Sequence, residues 1–176
     1  MSQTNWVLDP THSEIQFKVK HLMITTVTGY FKSFEAKATT EGEDFSTANI
    51  SFSADINSLD TNQEQRDGHL KSADFFDAAS HPKMTFENGK LQGSGDEFTL
   101  IGDLTIRGTT KQVKLNVEFG GIAVDGYGQT KAGFTLSGKI SRKEFGLVWD
   151  MVTEAGSVVV SDDVRINAEI QLTKQA

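Results

Sequence analysis

An all-β fold is what this sequence predicts: an antiparallel sheet of about eight strands closed into a barrel, with a short helical insert near residues 62–78. Three observations carry that expectation. Apolar residues recur at every second position along most of the chain. The links between those runs are short and turn-like, which favours antiparallel neighbours. One charged, aromatic stretch, Arg66 to Pro82 (RDGHLKSADFFDAASHP), breaks the alternation and carries two of the four histidines.

The runs can be followed in order. Ser13, Ile15, Phe17, Val19 and His21 form a dry face, with Glu14, Gln16, Lys18 and Lys20 on the wet one. Thr26 to Thr39 reads as a long strand bent near Phe34. Ile50, Phe52, Ala54 and Ile56 repeat the period. Asn88-Gly89, between Phe86 and Leu91, reads as a hairpin because both residues tolerate positive φ. Two further runs, Phe98 to Ile106 and Val113 to Phe119, flank a turn at Arg107-Gly108. Asp125-Gly126 is another hairpin signal, and Ala132 to Ile140 and Val164 to Leu172 complete the set. In the insert, Thr61 and Glu64 fit a capping box, Ser72 can cap a second short turn, and Ser80-His81-Pro82 ends the helical part. Leu147 to Ser157 is the longest irregular link. At 176 residues the whole chain, 1–176, reads as one domain.

Composition removes several classes. A net charge of −7 argues against nucleic acid as the main partner. With no cysteine, disulfides, thiol catalysis and Cys-ligated zinc are excluded. No window is apolar enough for a transmembrane helix. The start, MSQTNWVLDP, lacks a basic, apolar and small-residue leader, so the chain as written reads as cytoplasmic, or periplasmic if a leader has been removed. No cofactor is expected. Gly133 to Ile140 nearly spells a phosphate loop, but Ile140 stands where Ser or Thr must hold magnesium, and the run lies in a strand. There is no G-x-S-x-G elbow.

The strands point to a cavity. Gly29, Ala54, Gly102, Gly138 and Ala168 put very small residues on the dry face, among Phe17, Phe31, Phe52 and Phe134. A barrel of this strand number either fills with side chains or holds one small ligand. The competing explanation is that the glycines relieve crowding where the barrel bends.

Polar candidates each carry an alternative. His21 lies on the dry phase, to meet a ligand or to bond backbone. His12 is expected to close the turn after Asp9-Pro10-Thr11. Their odd separation puts them on opposite faces, so no shared metal is expected. Arg66 and His69 can meet a head group, or Arg66 can pair with Asp67 or another carboxylate and fasten the insert. Phe75 and Phe76 plug or line one end of the core. Lys139, Arg142 and Lys143 read as a solvated strand end, with phosphate contact as the alternative.

Three blocks, RDGHLKSADFFDAASHPKMTF, DLTIRGTTKQVKL and GFTLSGKISRKEFGL, resemble the signature segments of the YceI-like family, and WVLDPTHSEIQFKVKHL resembles its opening strand. The resemblance implies an extended lipocalin-like barrel that holds a long isoprenoid or similar amphipathic lipid, such as a polyprenyl pyrophosphate or a quinone, in an internal tunnel. It also implies membership in a group with periplasmic or secreted and dimeric representatives, so a homodimer is an expectation. On this reading Phe17, Val19, Phe31, Phe52, Leu104 and Phe134 line the tunnel, and His21, Arg66 and His69 meet the head group. The protein is then a non-enzymatic carrier. Two alternatives stand beside it: a lipocalin-like enzyme using His21 or His69 as general base, and a solidly packed stress-response or interaction module.

Overall fold

The computed structural model describes residues 2–150 and 159–176. Its strands are β1 (Gln3–Leu8), β2 (Glu14–His21), β3 (Thr25–Phe31), β4 (Phe34–Glu41), β5 (Asp44–Asp55), β6 (Leu59–Asp60), β7 (Lys83–Ser94), β8 (Glu97–Ile106), β9 (Thr109–Val124), β10 (Thr130–Ser141) and β11 (Asp163–Lys174). Among the described residues the one α-helix, α1, covers Glu64–Lys71. All pairings are antiparallel, and β1-β4-β5-β7-β8-β9-β10-β11 closes into an eight-stranded barrel because β11 pairs back onto β1. The alternation is cleanest in β8, where Phe98, Leu100, Gly102, Leu104 and Ile106 are all buried and the residues between them are not.

Two of the eight staves are broken strands. β1 and β2 lie in succession along one edge of β11, which pairs Leu8 with Leu172 and Phe17 with Ile166. Between them Pro10–His12 makes one 3-10 turn, with Asp9 as its cap. His12 does close this turn, with Nδ1 2.9 Å from Asp9 Oδ2. Lys131 reaches across from β10 to the same carboxylate at 2.9 Å and also donates to Thr173 Oγ1. The lysine bond holds the Asp9 carboxyl far below the ordinary 3.8, helped by His12 and Thr11 against the opposing effect of burial. A depressed carboxyl pKa stabilises fully above the unfolded value and fades as pH falls through and below about 4. Asp9→Asn is therefore expected to cost about 2 kcal/mol at neutral pH. Urea midpoints of the two proteins should converge in acid, and parallel curves from pH 7 to 3 would contradict this.

The second broken stave is the expected Thr26–Thr39 strand, which divides at Lys32-Ser33 into β3 and β4. The break arises because the chain changes partners there. Asp55 N–H donates to Ser33 O at 2.9 Å, and Lys32 N–H donates to Ser58 O at 3.2 Å. β4 pairs along β5, whereas β3, paired on one side with β2, meets only the two-residue β6 on its other side. The insert from 61 to 82 packs across the opening left beside β3.

Three turn expectations meet different fates. Arg107 and Gly108 do turn β8 into β9, with φ of 50° and 77°. Asp125 also opens the β9–β10 turn, where its carboxylate accepts from the Tyr127 and Gln129 amides. Asn88-Gly89 is not a hairpin. It is a bulge inside β7, with Asn88 at φ 58° and a register shift between Glu87 and Lys90. Positive φ suits either device. The actual β7–β8 turn comes at Ser94–Glu97, with Gly95 inside it at φ 70° and Gly93 just before it at φ 137°.

The dry-face glycines do not line a void. A Cβ on Gly29 would lie 2.2 Å from Cζ of Phe17, its cross-strand partner. A Cβ on Gly102 would lie 2.4 Å from Cζ of Phe86, and Gly138 is likewise covered by Leu115. Each glycine lets a large neighbour lie flat across the backbone. Ala168, by contrast, does border open space.

Candidate functional site

The barrel interior holds two apolar chambers. The outer one, about 300 Å³, lies at the end where β2, β10 and β8 finish, under the 61–82 insert. The inner one, about 130 Å³, lies deeper. Ile15, Met84 and Ile166 border both and so form the neck between them. Beyond the inner chamber an aromatic cluster seals the barrel. Phe45 packs 5.0 Å from Phe134 and 4.9 Å from Trp6, and Phe119 stacks on Phe134 at 5.1 Å. Trp6 is fully buried and donates its indole N–H to Thr40 Oγ1 at 2.9 Å. The cavity is thus blind at one end.

All nine residues singled out in the sequence border this space. Phe17, Val19, Phe31, His21, Arg66 and His69 line the outer chamber; Phe52, Leu104 and Phe134 line the inner one. Phe75 and Phe76, expected at one end of the core, belong to the outer wall, with Phe76 edge-on to Phe31 at 6.0 Å. His21 is exposed at the rim rather than enclosed. The neck residues Ile15, Met84 and Ile166 were not singled out, although the period-2 phase already placed Ile15 and Ile166 on the dry face.

The insert is fastened differently from the expected way. Thr61 is not the helix cap: Gln63 is, its side chain accepting from Arg66 N–H at 2.6 Å. Thr61 is instead a buried hub. Its amide and hydroxyl both bond the Asp67 carboxylate. Arg66 donates through Nε to the Thr61 hydroxyl at 2.8 Å and through Nη2 to its carbonyl at 2.6 Å. So Arg66 and Asp67 grip one threonine rather than each other, and Arg66 Nη1 has no partner among the described residues. Ser72 ends α1, its hydroxyl donating to His69 O at 2.6 Å and weakly accepting from Asp74 N–H at 3.3 Å. His69 Nε2 lies 2.9 Å from Asp74 Oδ2, and its ring meets Phe75 and Trp149 edge-on at 5.1 and 4.8 Å.

Arg142 overturns the expectation of a solvated basic strand end. Lys139 and Lys143 are exposed, but Arg142 is only 4 % exposed and borders the outer chamber. Its Nε donates to Ser161 O at 2.9 Å, Nη1 to Leu147 O at 2.7 Å and Trp149 O at 2.8 Å, and Nη2 to Val160 O at 3.1 Å. Burial lowers its pKa from the ordinary arginine value, opposed by Asp150 and Asp162. This one guanidinium therefore ties both ends of the segment that follows β10 to the chamber wall. The expected loop Leu147 to Ser157 lies partly outside the described residues, which stop at 150 and resume at 159.

The far end of the barrel carries the polar Asp9–His12–Lys131 group, remote from His21. Among the described residues no group of three or more His, Cys, Asp or Glu is placed to hold a metal ion. No helix among them is long and apolar enough to cross a membrane.

Comparison with known proteins matches the YceI-like domain to residues 6–172. A Staphylococcus epidermidis protein named UPF0312 is 35% identical over 171 residues, 97% of this chain and 98% of that one. A Staphylococcus aureus UPF0312 protein is 34% identical over the same shares. Among solved structures, the Campylobacter jejuni YCEI protein is 33% identical with a TM-score of 0.76, over 90% of this chain and 91% of that one. Burkholderia cenocepacia BcnA shares the fold at a TM-score of 0.78 and 22% identity, over 93% and 98%. A Saccharophagus degradans domain shares it at 0.67 and 16%, over 97% and 98%.

Proposed function

This chain belongs to the YceI-like family, and on that footing we propose that it is a non-enzymatic carrier of one long apolar chain, an isoprenoid lipid. The observation that carries the reading is the pair of chambers in line, walled by apolar side chains and closed at the far end. The Saccharophagus degradans domain of the same fold is named a polyisoprenoid binding domain. Burial of each methylene-sized group contributes about 0.8 kcal/mol, so a few isoprene units suffice for tight binding without polar recognition. The outer chamber alone reaches the lower end of the usual range for small-molecule sites.

The tail occupies the inner chamber against Phe52, Leu104 and Phe134, and passes Phe17, Val19 and Phe31 on the way. The head group stays at the rim, within reach of His21, His69 and the Arg66 Nη1. Gentle organic extraction and native mass spectrometry of the purified protein are expected to release a hydrophobic compound in equimolar amount. Added isoprenoid lipid is expected to raise the melting temperature of emptied protein. If extraction yields nothing and no isoprenoid shifts melting, the carrier reading fails.

A further inference from the structure

We propose that the open end of the barrel docks onto an anionic lipid bilayer, the Met23-Ile24 tip entering the acyl boundary while Lys18, Lys20 and Arg165 meet lipid phosphates. The proposal extends the carrier reading by naming the surface at which the cavity is filled or emptied.

Four observations converge on one edge of the mouth. The β2–β3 hairpin ends in an apolar tip, with Met23 62 % and Ile24 77 % exposed, and Val148 on the same end is 61 % exposed. Single exposed apolar residues are ordinary, but a pair at the apex of a hairpin beside a cavity is an insertion device.

The tip is also held in an unfavourable backbone. Ile24 N–H bonds His21 O at 3.1 Å, so Leu22 and Met23 are the two central residues of a tight hairpin turn, at φ 52° and 61°. Such turns favour Asn-Gly. Placing Leu-Met there costs backbone strain and sets an exposed apolar apex at Met23, beside a half-buried Leu22 whose amide bonds Val159 O at 2.9 Å.

Behind the apex stand cations. Lys18 and Arg165 are directly opposed across β2 and β11, and Lys139 is opposed to Arg165 on the next strand. Like charges in register repel. Lys18, Lys20 and Arg165 make no ion pair among the described residues, while Lys139 lies 3.6 Å from Asp163. The carboxylates of this end are engaged elsewhere: Asp163 by Lys139, Asp150 by Lys143 at 3.0 Å and Asp162 by Ser141. Strand rise puts Lys20 and Lys18 at most about 10 and 17 Å behind Met23, so a tip buried about 5–10 Å into the interface leaves both cations on its polar side.

Finally, charge is unevenly spread along the barrel. On a chain of net charge −7, the blind end carries Glu41, Glu43 and Asp44 around one turn, of which Lys174 pairs with Glu43 at 3.0 Å, and Asp96 and Glu97 at another. The insert on the other side of the mouth is acidic too, with Asp67 held by Thr61 and Asp74 by His69. An anionic surface therefore turns the β2–β3–β11 edge toward itself and the blind end away.

The test is co-sedimentation with phosphatidylcholine vesicles, with and without phosphatidylglycerol, at low and high salt. The protein is expected to sediment only with the anionic vesicles and to be released by salt. Lys18→Gln, Lys20→Gln and Arg165→Gln together should weaken partition on the order of a hundredfold. Leu22→Asn with Met23→Gly suits the turn, so it should keep or raise the melting temperature while lowering partition, which separates docking from folding. Equal sedimentation with both vesicle types, no sedimentation at all, or unchanged partition of these variants overturns the proposal. Isoprenoid uptake in vesicle-free solution is measured beside it. Uptake without docking overturns this proposal and leaves the carrier reading standing; docking without uptake does the reverse.

Discussion

Replacing Arg142 with alanine is expected to lower stability by about 4 kcal/mol. The guanidinium satisfies four backbone carbonyls, of Leu147, Trp149, Val160 and Ser161, and is nearly inaccessible to water. A buried carbonyl stripped of its donor costs about 1–3 kcal/mol. Water admitted through the mouth recovers part of that, so the total falls below four full penalties. For a domain of this size the change corresponds to about 10 °C in melting temperature. Arg142→Lys should recover only a part, because an ammonium has three donors on one atom and cannot span the same carbonyls. Urea unfolding decides the matter, and a loss under about 1 kcal/mol would mean that the carbonyls rehydrate freely.

Ile166→Trp is expected to cut binding of long-chain isoprenoids by at least about a hundredfold while leaving short ones nearly unaffected. Ile166 borders both chambers, so an indole there obstructs the neck and leaves the outer chamber usable. Exclusion of even one five-carbon unit from the inner chamber removes a few kcal/mol of burial. Overpacking of a partly open site costs less than in a filled core, so the variant should fold. Titration with a chain-length series reads the result. Equal weakening of short and long ligands would place the bound chain elsewhere.

Much of this was legible in sequence because period-2 patterning fixes which side chains face inward. Phe17, Phe52, Leu104 and Phe134 could be assigned to the interior from phase alone, and the structure puts each beside a chamber. Phase does not report depth, so it gave no sign that Ile15, Met84 and Ile166 form a neck. Composition also misled where a residue's partners lie far along the chain. Arg142 sits between Lys139 and Lys143 in a run that looks solvated, yet its acceptors include Val160 and Ser161 from the other side of the loop. Asn88-Gly89 failed for a different reason: positive φ identifies a departure from regular strand, not which departure it is. From sequence the dry-face glycines point to a cavity, with relief of crowding as the alternative; Phe17, Phe86 and Leu115 fill the space over Gly29, Gly102 and Gly138, so crowding is the reason at these three.

The aromatic seal formed by Trp6, Phe45, Phe119 and Phe134 makes the barrel a test tube rather than a pipe. On the carrier reading, a guest in such a vessel goes in tail first and backs out head first, and two guests cannot pass each other. Exchange is then strictly sequential, with the old occupant gone before the new one starts. Loading rate and residence time become properties of a single doorway, and delivery to a recipient demands that this doorway face it.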